Sequence, residues 1–455
     1  MKRTVWIYWI PLLLLLMVTL PHLDQGDFRA ETAHYGAIGV QAWDNPSLFW
    51  SLHEHPSVPY FNKPPLVFWI HGLFLHLFGI SLAVARIPAI LAASGCVILT
   101  VAIARLMLGR ATALATGCVM ALSYEFFRRT REISLDMWQL LFILACVWLW
   151  MLAVQPQRRR LLWLAGIPLG LALLCKPLIA LLAPCILVAW HCTTPGTPTL
   201  KFRDLAFFIL SALLVALPWH LSMIHLNGEI FTRQYFGHEV VQRLQGLRNR
   251  EPIWYYAVET GKTYWPWMLL LLAGLFRWRR GQVASHHRAA LRLAALWITA
   301  WAVAISLFPD KRPRYALPLY PMLAMIAGYG LATLPWQAIR SWMRWKPAKV
   351  ALLIVAAGLI ISVLPIQFQE PPDKNLSGLT QWVGTQDPSV VFSVALTASD
   401  ESTLFLKTGH WPKPIRLRHH LSPGCLMIYT DGLAPSPEPG ETLVFQQGQY
   451  RVTRK

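Results

Sequence analysis

Pro65-Leu-Val-Phe-Trp-Ile-His-Gly-Leu-Phe-Leu-His-Leu-Phe-Gly79 is the stretch on which the reading of this chain turns. It is apolar enough to be counted as a membrane span. It holds only ~15 residues, however, against the ~20 that a helix needs to cross a hydrocarbon core of ~30 Å. It also carries His71 and His76, and a segment so short and so marked more often lies in the interface or re-enters it. Apolar runs of helical length occur at about 5–21, 82–105, 111–127, 137–154, 161–175, 177–192, 204–224, 263–276, 292–308, 315–335 and 349–366. That makes about eleven spans. Basic clusters at Arg105/Arg110, Arg158 to Arg160, Lys201/Arg203, Arg277 to Arg292 and Arg340 to Lys349 fall between them, as in cytoplasmic loops. Counting 65–79 as a span would put every later basic cluster outside. Residues 22–81 are therefore expected on the outer face, on or dipping into the membrane, and the odd parity places the C-terminus outside as well.

Composition agrees with the class. Of 455 residues 55% are hydrophobic and only 14% charged, where soluble domains carry about 25% charge. So much apolar surface cannot be hidden in a soluble fold. The net charge of +19 would suit a nucleic-acid binder, but the Lys and Arg sit between apolar spans, which excludes that reading. Val5 to Leu20 follows Lys2 and Arg3 with no small-x-small cleavage site after it, and reads as an uncleaved first helix with a cytoplasmic start. Six of the seven Cys lie in or beside apolar runs, Cys425 alone lies in the polar tail, and no pair has metal-ligand spacing. After Gln367 the composition turns polar. Glu370-Pro-Pro-Asp reads as a linker, a helix is expected near 376–386, and Val390–Leu396, Leu426–Tyr429 and Leu443–Phe445 read as strands. The expected organisation is a polytopic α-helical membrane domain over 1–366, with the 22–81 juxtamembrane loop inside it, and a small α/β outer domain over 367–455.

Charged motifs at membrane boundaries are functional suspects. Glu31, in Glu31-Thr-Ala-His-Tyr-Gly36, is a candidate general base, or would bind a divalent metal together with His34; a solvated loop acid is the plainer reading. Lys63, in Tyr60-Phe-Asn-Lys-Pro-Pro65, is a fixed point charge suited to phosphate, or a snorkelling interfacial lysine. Asp136 is a second acid, or an acid favoured by a helix N-terminus. Arg128, Arg129 and Arg131 lie on the outer side against the positive-inside trend, so they imply an anionic partner. Asp310-Lys-Arg-Pro-Arg-Tyr315 offers Lys311 and Arg314 as phosphate grips, unless it only attracts anionic lipid. Lys176 is a headgroup contact or merely snorkels. In the 225–262 loop His238, Glu239 and Arg243 are candidate donor or acceptor contacts.

Taken in order, these motifs resemble a family. Glu-Thr-Ala-His-Tyr-Gly is similar to the Asp-Glu-x-His-Phe-Gly element of protein O-mannosyltransferases and to the Asp-Glu-x-Arg-Tyr element of lipid A aminoarabinose transferases. Phe61-Asn-Lys-Pro-Pro-Leu, Phe78-Gly with Arg86 and Pro88, Arg131 to Asp136, Gly170 to Lys176, Pro218-Trp, Trp265-Pro-Trp and Lys311-x-Pro-Arg-Tyr follow in the same order over residues 1–335. The resemblance implies a type C glycosyltransferase fold in a bacterial inner membrane. It implies inverting transfer, on the periplasmic face, of a sugar from a polyprenyl-phosphate carrier to a lipid, glycan or protein acceptor. By position Glu31 and Asp136 become the catalytic acids, and Lys63, Arg131, Lys311 and Arg314 the carrier-phosphate ligands. His34, Tyr35, Tyr60, Lys176, His238, Arg243 and Tyr315 are further candidates. No cofactor is firmly implied. The chain departs from the pattern where the usual Asp-Glu pair is Glu31-Thr32, which weakens metal binding there. The competing classes are a catalytically impaired lipid-phosphate-binding relative and a transporter or flippase for a lipid-linked sugar.

Overall fold

Most helices of the protein are apolar on every side, which is what burial in lipid and in neighbouring helices requires. The computed structural model describes residues 5–21, 23–28, 30–155, 158–241, 251–281, 283–334, 374–386, 391–394, 396, 398–409, 411–414, 426–430, 442–447 and 449–454. Among the described residues five helices are long and apolar enough to cross a membrane: Leu82–Leu108, Leu135–Ala153, Phe202–Gly237, His287–Leu307 and Pro313–Ala332. Trp6–Thr19, Leu66–Phe78, Leu161–Leu173 and Leu182–Thr193 are apolar but shorter. The expected span at 349–366 lies outside the described residues. The expected 111–127 span is two helices, Arg110–Ala121 and Tyr124–Arg128, broken at Leu122 and Ser123. The expected 177–192 span is likewise split, into Pro177–Ala180 and Leu182–Thr193. The 65–79 stretch forms one helix of 13 residues, Leu66–Phe78, about 20 Å long at 1.5 Å per residue.

The chain divides into two compact units. The first comprises residues 1–21, 61–67 and 89–366. At its centre lies the Pro313–Ala332 stretch, buried throughout from Ala316 to Gly330, whereas Phe202–Gly237 exposes Leu213, Leu214, Leu217 and Leu221. The central helix achieves its burial with small residues. A Cβ on Gly328 would stand 2.6 Å from the backbone nitrogen of Thr116, so only glycine admits the Arg110–Ala121 helix so closely. Leu135–Ala153 starts where Ser134 accepts a hydrogen bond from the Met137 amide at 3.2 Å, an N-cap that places Asp136 in the first turn.

The second unit comprises residues 22–60, 68–88 and 367–455. Residues around Glu31, expected to be a loop, form the helix Ala30–Asp44. Gly36 and Gly39 lower its intrinsic propensity by about 1 kcal/mol each relative to alanine. Packing overrides this: a Cβ on Gly39 would lie 2.7 Å from the Phe68 carbonyl and 2.9 Å from the Gly72 Cα. Strands β1 (His53–His55) and β2 (Val58–Pro59) make a short antiparallel pair. The C-terminal residues form a mixed sheet of β3 (Val391–Val394), β4 (Lys413–Pro414), β5 (Leu426–Thr430), β6 (Thr442–Gln447) and β7 (Tyr450–Arg454), in the order β4-β3-β5-β7-β6. β3 runs parallel to β4 and β5, and β7 antiparallel to β5 and β6. The helices Lys374–Gln386 and Ala398–Thr408 supply Leu379, Val383 and Leu404 to its core, against Val391, Leu426, Ile428, Tyr450 and Val452. The helix at 398–408 and strands β4 and β7 were not expected. β7 alternates inward Tyr450 and Val452 with outward Arg451, a period of two short enough to overlook.

Candidate active site

In the first unit one carboxylate gathers cations from two separate motifs. The Ser134 cap fixes Asp136 at the start of its helix, and its side chain is 11% exposed. The Lys176 ammonium, from the turn after Leu161–Leu173, donates to Asp136 Oδ1 at 2.8 Å. Arg314, from the 3-10 turn Pro313–Leu319, lies with Nε 3.5 Å from Asp136 Oδ2. Tyr315 supports both cations, with its ring centroid 4.2 Å from Lys176 Nζ and 5.8 Å from the Arg314 guanidinium carbon. Gln139, one turn beyond Asp136, donates to the Lys176 carbonyl and holds that turn. Lys176, which sequence left as a headgroup contact or a snorkelling side chain, is thus a structural partner of Asp136.

The three outer arginines were read as calling for an outside anion. For Arg128 and Arg129 the structure supplies anions from within the chain, Glu125 and Glu132, which the sequence reading passed over. Arg129 is bonded to Glu125 and, at 2.9 Å, to Glu132, and Arg128 lies 3.6 Å from Glu125. Burial opposes the charge of Arg129, but Glu132 and Glu125 outweigh it and raise its pKa. The signal was in the sequence: Glu125 and Arg129 are spaced i, i+4, one helical turn apart. Arg131 is buried and donates to the Pro21 carbonyl at 2.6 Å.

Lys63 is 6% exposed, with its ammonium donating to the adjacent Asn62 carbonyl at 3.2 Å. Lys311 is 4% exposed and donates to the Glu251 carbonyl at 2.9 Å, tying its loop to the residues before Tyr255–Thr263. Side-chain contacts of His238 and Glu239 and all of Arg243 lie outside the described residues.

The second unit holds the Glu31 segment. Glu31 is half-buried in the first turn of Ala30–Asp44, where the helix dipole favours a carboxylate. His34 follows within one turn. Burial pushes its pKa down to about 4, against the opposing pull of Glu31, so the ring is neutral near pH 7. Its Nε2 lies 3.7 Å from Glu54, a contact with a neutral ring rather than an ion pair. The Glu54 pKa is itself raised by burial and by Glu401. Tyr60 meets the His34 ring edge-on at 5.4 Å, and Tyr35 packs on Phe68 at 5.1 Å. Among the described residues no group of three or more His, Cys, Asp or Glu is arranged to hold a metal, so Glu31 and His34 have no third ligand there. His71 is a core residue, its Nδ1–H donating to the Ala85 carbonyl at 2.9 Å while burial lowers its pKa to about 4.

Known proteins resemble this chain in sequence and in fold. The family described as dolichyl-phosphate-mannose-protein mannosyltransferase matches residues 62–221. An undecaprenyl phosphate-alpha-4-amino-4-deoxy-L-arabinose arabinosyl transferase of Pseudomonas paraeruginosa is 29% identical over 358 residues, covering 73% of this chain and 64% of that one. Its counterpart in Pseudomonas aeruginosa is 30% identical over 295 residues, covering 62% and 52%. The chain thus spans about three fifths of the length of the first curated relatives, at 64% and 61%. The crystal structure of ArnT from Cupriavidus metallidurans bound to undecaprenyl phosphate superposes with a TM-score of 0.78 at 17% identity, covering 100% of this chain and 98% of that one. The archaeal oligosaccharyltransferase AglB from Archaeoglobus fulgidus gives 0.55 at 12% identity, covering 90% and 64%. The fold is that of ArnT, with several helices apolar and long enough to cross a membrane. The chain is similar to the protein O-mannosyltransferase and aminoarabinose transferase family that its motifs resembled.

Proposed function

We propose that the protein is an inverting glycosyltransferase that moves a sugar from a polyprenyl-phosphate carrier to a lipid, glycan or protein acceptor on the outer face of a bacterial inner membrane. The observation that carries this reading is the Asp136–Lys176–Arg314 cluster, in which two cations from separate motifs are held at one buried carboxylate. In the reaction the acceptor oxygen attacks the anomeric carbon, the bond from that carbon to the phosphate oxygen breaks, and the lipid phosphate leaves with the electron pair. The leaving phosphate gains negative charge, and Arg314, Lys63, Arg131 and Lys311 are its ligands. Fixed cations in a low-dielectric setting stabilise such charge far better than water does. Asp136 acts chiefly by holding Lys176 and Arg314 in place. Glu31 takes the proton of a hydroxyl acceptor; an acceptor phosphate, already ionised, would need only placement.

The relatives' names support a polyprenyl-phosphate donor. The proposed topology has about eleven spans, with 22–81 and 370–455 outside and 277–292 inside. The functional test incubates the purified protein with polyprenyl-phosphate sugars and measures released polyprenyl phosphate. Release coupled to sugar transfer is expected. Movement of the intact lipid-linked sugar across proteoliposomes without release would instead make the protein a flippase.

A further inference from the structure

The backbone just before Glu31 is tied down by the C-terminal part of the chain. Asp27 is buried, its carboxyl group only 4% exposed. Its Oδ1 accepts from the Lys407 ammonium at 2.7 Å and from the Phe28 amide at 2.8 Å. Its Oδ2 accepts from Lys407 at 2.9 Å and from the Ser377 hydroxyl at 2.7 Å. Thr403, one turn before Lys407, donates to the Phe28 carbonyl at 3.0 Å. Ser377 belongs to the helix Lys374–Gln386, and Thr403 and Lys407 to the helix Ala398–Thr408. From the other direction the fully buried Arg86 donates to the carbonyls of Leu23 and Gln25, the latter at 2.8 Å. The chain therefore enters the Glu31 helix through a segment fixed on both its side-chain and its backbone groups.

We infer that Lys407, backed by Ser377, is a positioning residue for Glu31: the C-terminal helices clamp Asp27 and so set where the first turn of Ala30–Asp44 presents its carboxylate. The argument is one of lever length. Asp27 stands only four residues before Glu31, and the helix opens at Ala30, so a shift of Asp27 is passed to the helix start through a very short length of chain. An ångström of misplacement at a reacting group costs up to about a hundredfold in rate. An exposed ion pair could not hold such a position, but Asp27 is desolvated, doubly bonded to Lys407 and satisfied on both oxygens, so its place is over-determined. The polar C-terminal residues, which the transfer chemistry leaves without a role, thereby acquire one. This inference rests on the proposed role of Glu31.

The test uses the full-length protein with Lys407→Met, Lys407→Arg and the milder Ser377→Ala. Two readouts are taken: amide hydrogen exchange of residues 30–34, and kcat beside the affinity for undecaprenyl phosphate. Lys407→Met should speed exchange at 30–34 and lower kcat by about 10- to 100-fold with carrier affinity unchanged, and Lys407→Arg should recover most of the loss. Ser377→Ala should move both readouts in the same direction by less, and decides the matter if Lys407→Met does not fold. Unchanged exchange at 30–34 overturns the clamp whatever the activity. Faster exchange with an unchanged kcat overturns positioning, and so does faster exchange spread evenly over the whole chain. If the wild-type protein turns over no polyprenyl-phosphate sugar, it is the proposed function that fails, and the exchange measurement alone then decides the clamp.

Discussion

The Asp136 cluster and the Glu31 segment are built on opposite electrostatic principles. Around Asp136 several charges have counter-charges: Lys176 and Arg314 on Asp136 itself, and Arg129 between Glu125 and Glu132. Such a region keeps its shape through ion pairs, and a phosphate entering it meets cations already desolvated and oriented. The Glu31 segment is nearly the reverse. Its histidine is neutral, its carboxylate stands in a helix's first turn, and its position comes from the Asp27 clamp upstream. The difference teaches that cations proposed to meet a permanent anion can be held in place by ion pairs. A group that must take up a proton during reaction is set instead by where its helix begins.

The sharpest way to break this comparison is to neutralise each carboxylate in turn. Glu31→Gln keeps the shape but cannot accept a proton, and turnover on a hydroxyl acceptor should fall by about 10²–10⁴-fold with undecaprenyl phosphate binding unchanged. Asp136→Asn should instead weaken carrier binding, because it releases Lys176 and Arg314 from their anchor. Equal kinetic signatures for the two variants would erase the distinction.

A smaller effect is expected from pH. The His34 pKa lies at about 4 in the folded protein against about 6.5 unfolded, so between those values the unfolded chain binds the proton that the folded chain refuses. Stability should therefore fall as pH drops from about 6.5 to 4, by at most about 3 kcal/mol from this group. The melting temperature followed across this window in wild type and His34→Gln checks it: the variant's profile should be flatter, and identical slopes would contradict a buried neutral His34. Smaller again, Lys63→Ala and Arg314→Ala should each remove one charge-assisted contact to the donor phosphate. Each is worth roughly 1.5–3 kcal/mol, or about ten- to a hundredfold in donor use. Wild-type donor kinetics in both would remove their assigned roles.

The two regions also differ in how far the sequence disclosed them. Asp136, Lys176 and Arg314 stood out one by one as charges at the ends of apolar runs. Which of them touch was beyond sequence, since Lys176 could equally have snorkelled to the interface. The Glu125–Arg129 spacing was there to be read, but apolar neighbours made the stretch look like the end of a span. The family resemblance followed from motif order alone, and known proteins of that kind are similar to the chain. Around Glu31 local pattern misled. Two glycines hid a helix that exists because Gly39 packs against another backbone. Asp27 carried no signal of its own, because Lys407 stands 380 residues away in sequence. Positional control exercised over such a separation leaves no local pattern to find.

Whether sugar transfer with inversion occurs at all is the claim beneath every role given to these residues. Its most direct test is a single-turnover reaction of the purified protein with a polyprenyl-phosphate sugar of defined anomeric configuration, the product anomer and freed carrier being read by NMR and lipid chromatography. The account predicts one polyprenyl phosphate released for each sugar transferred, and a product of opposite anomeric configuration. A product that retains the donor configuration, or transfer without release of the carrier phosphate, would contradict it.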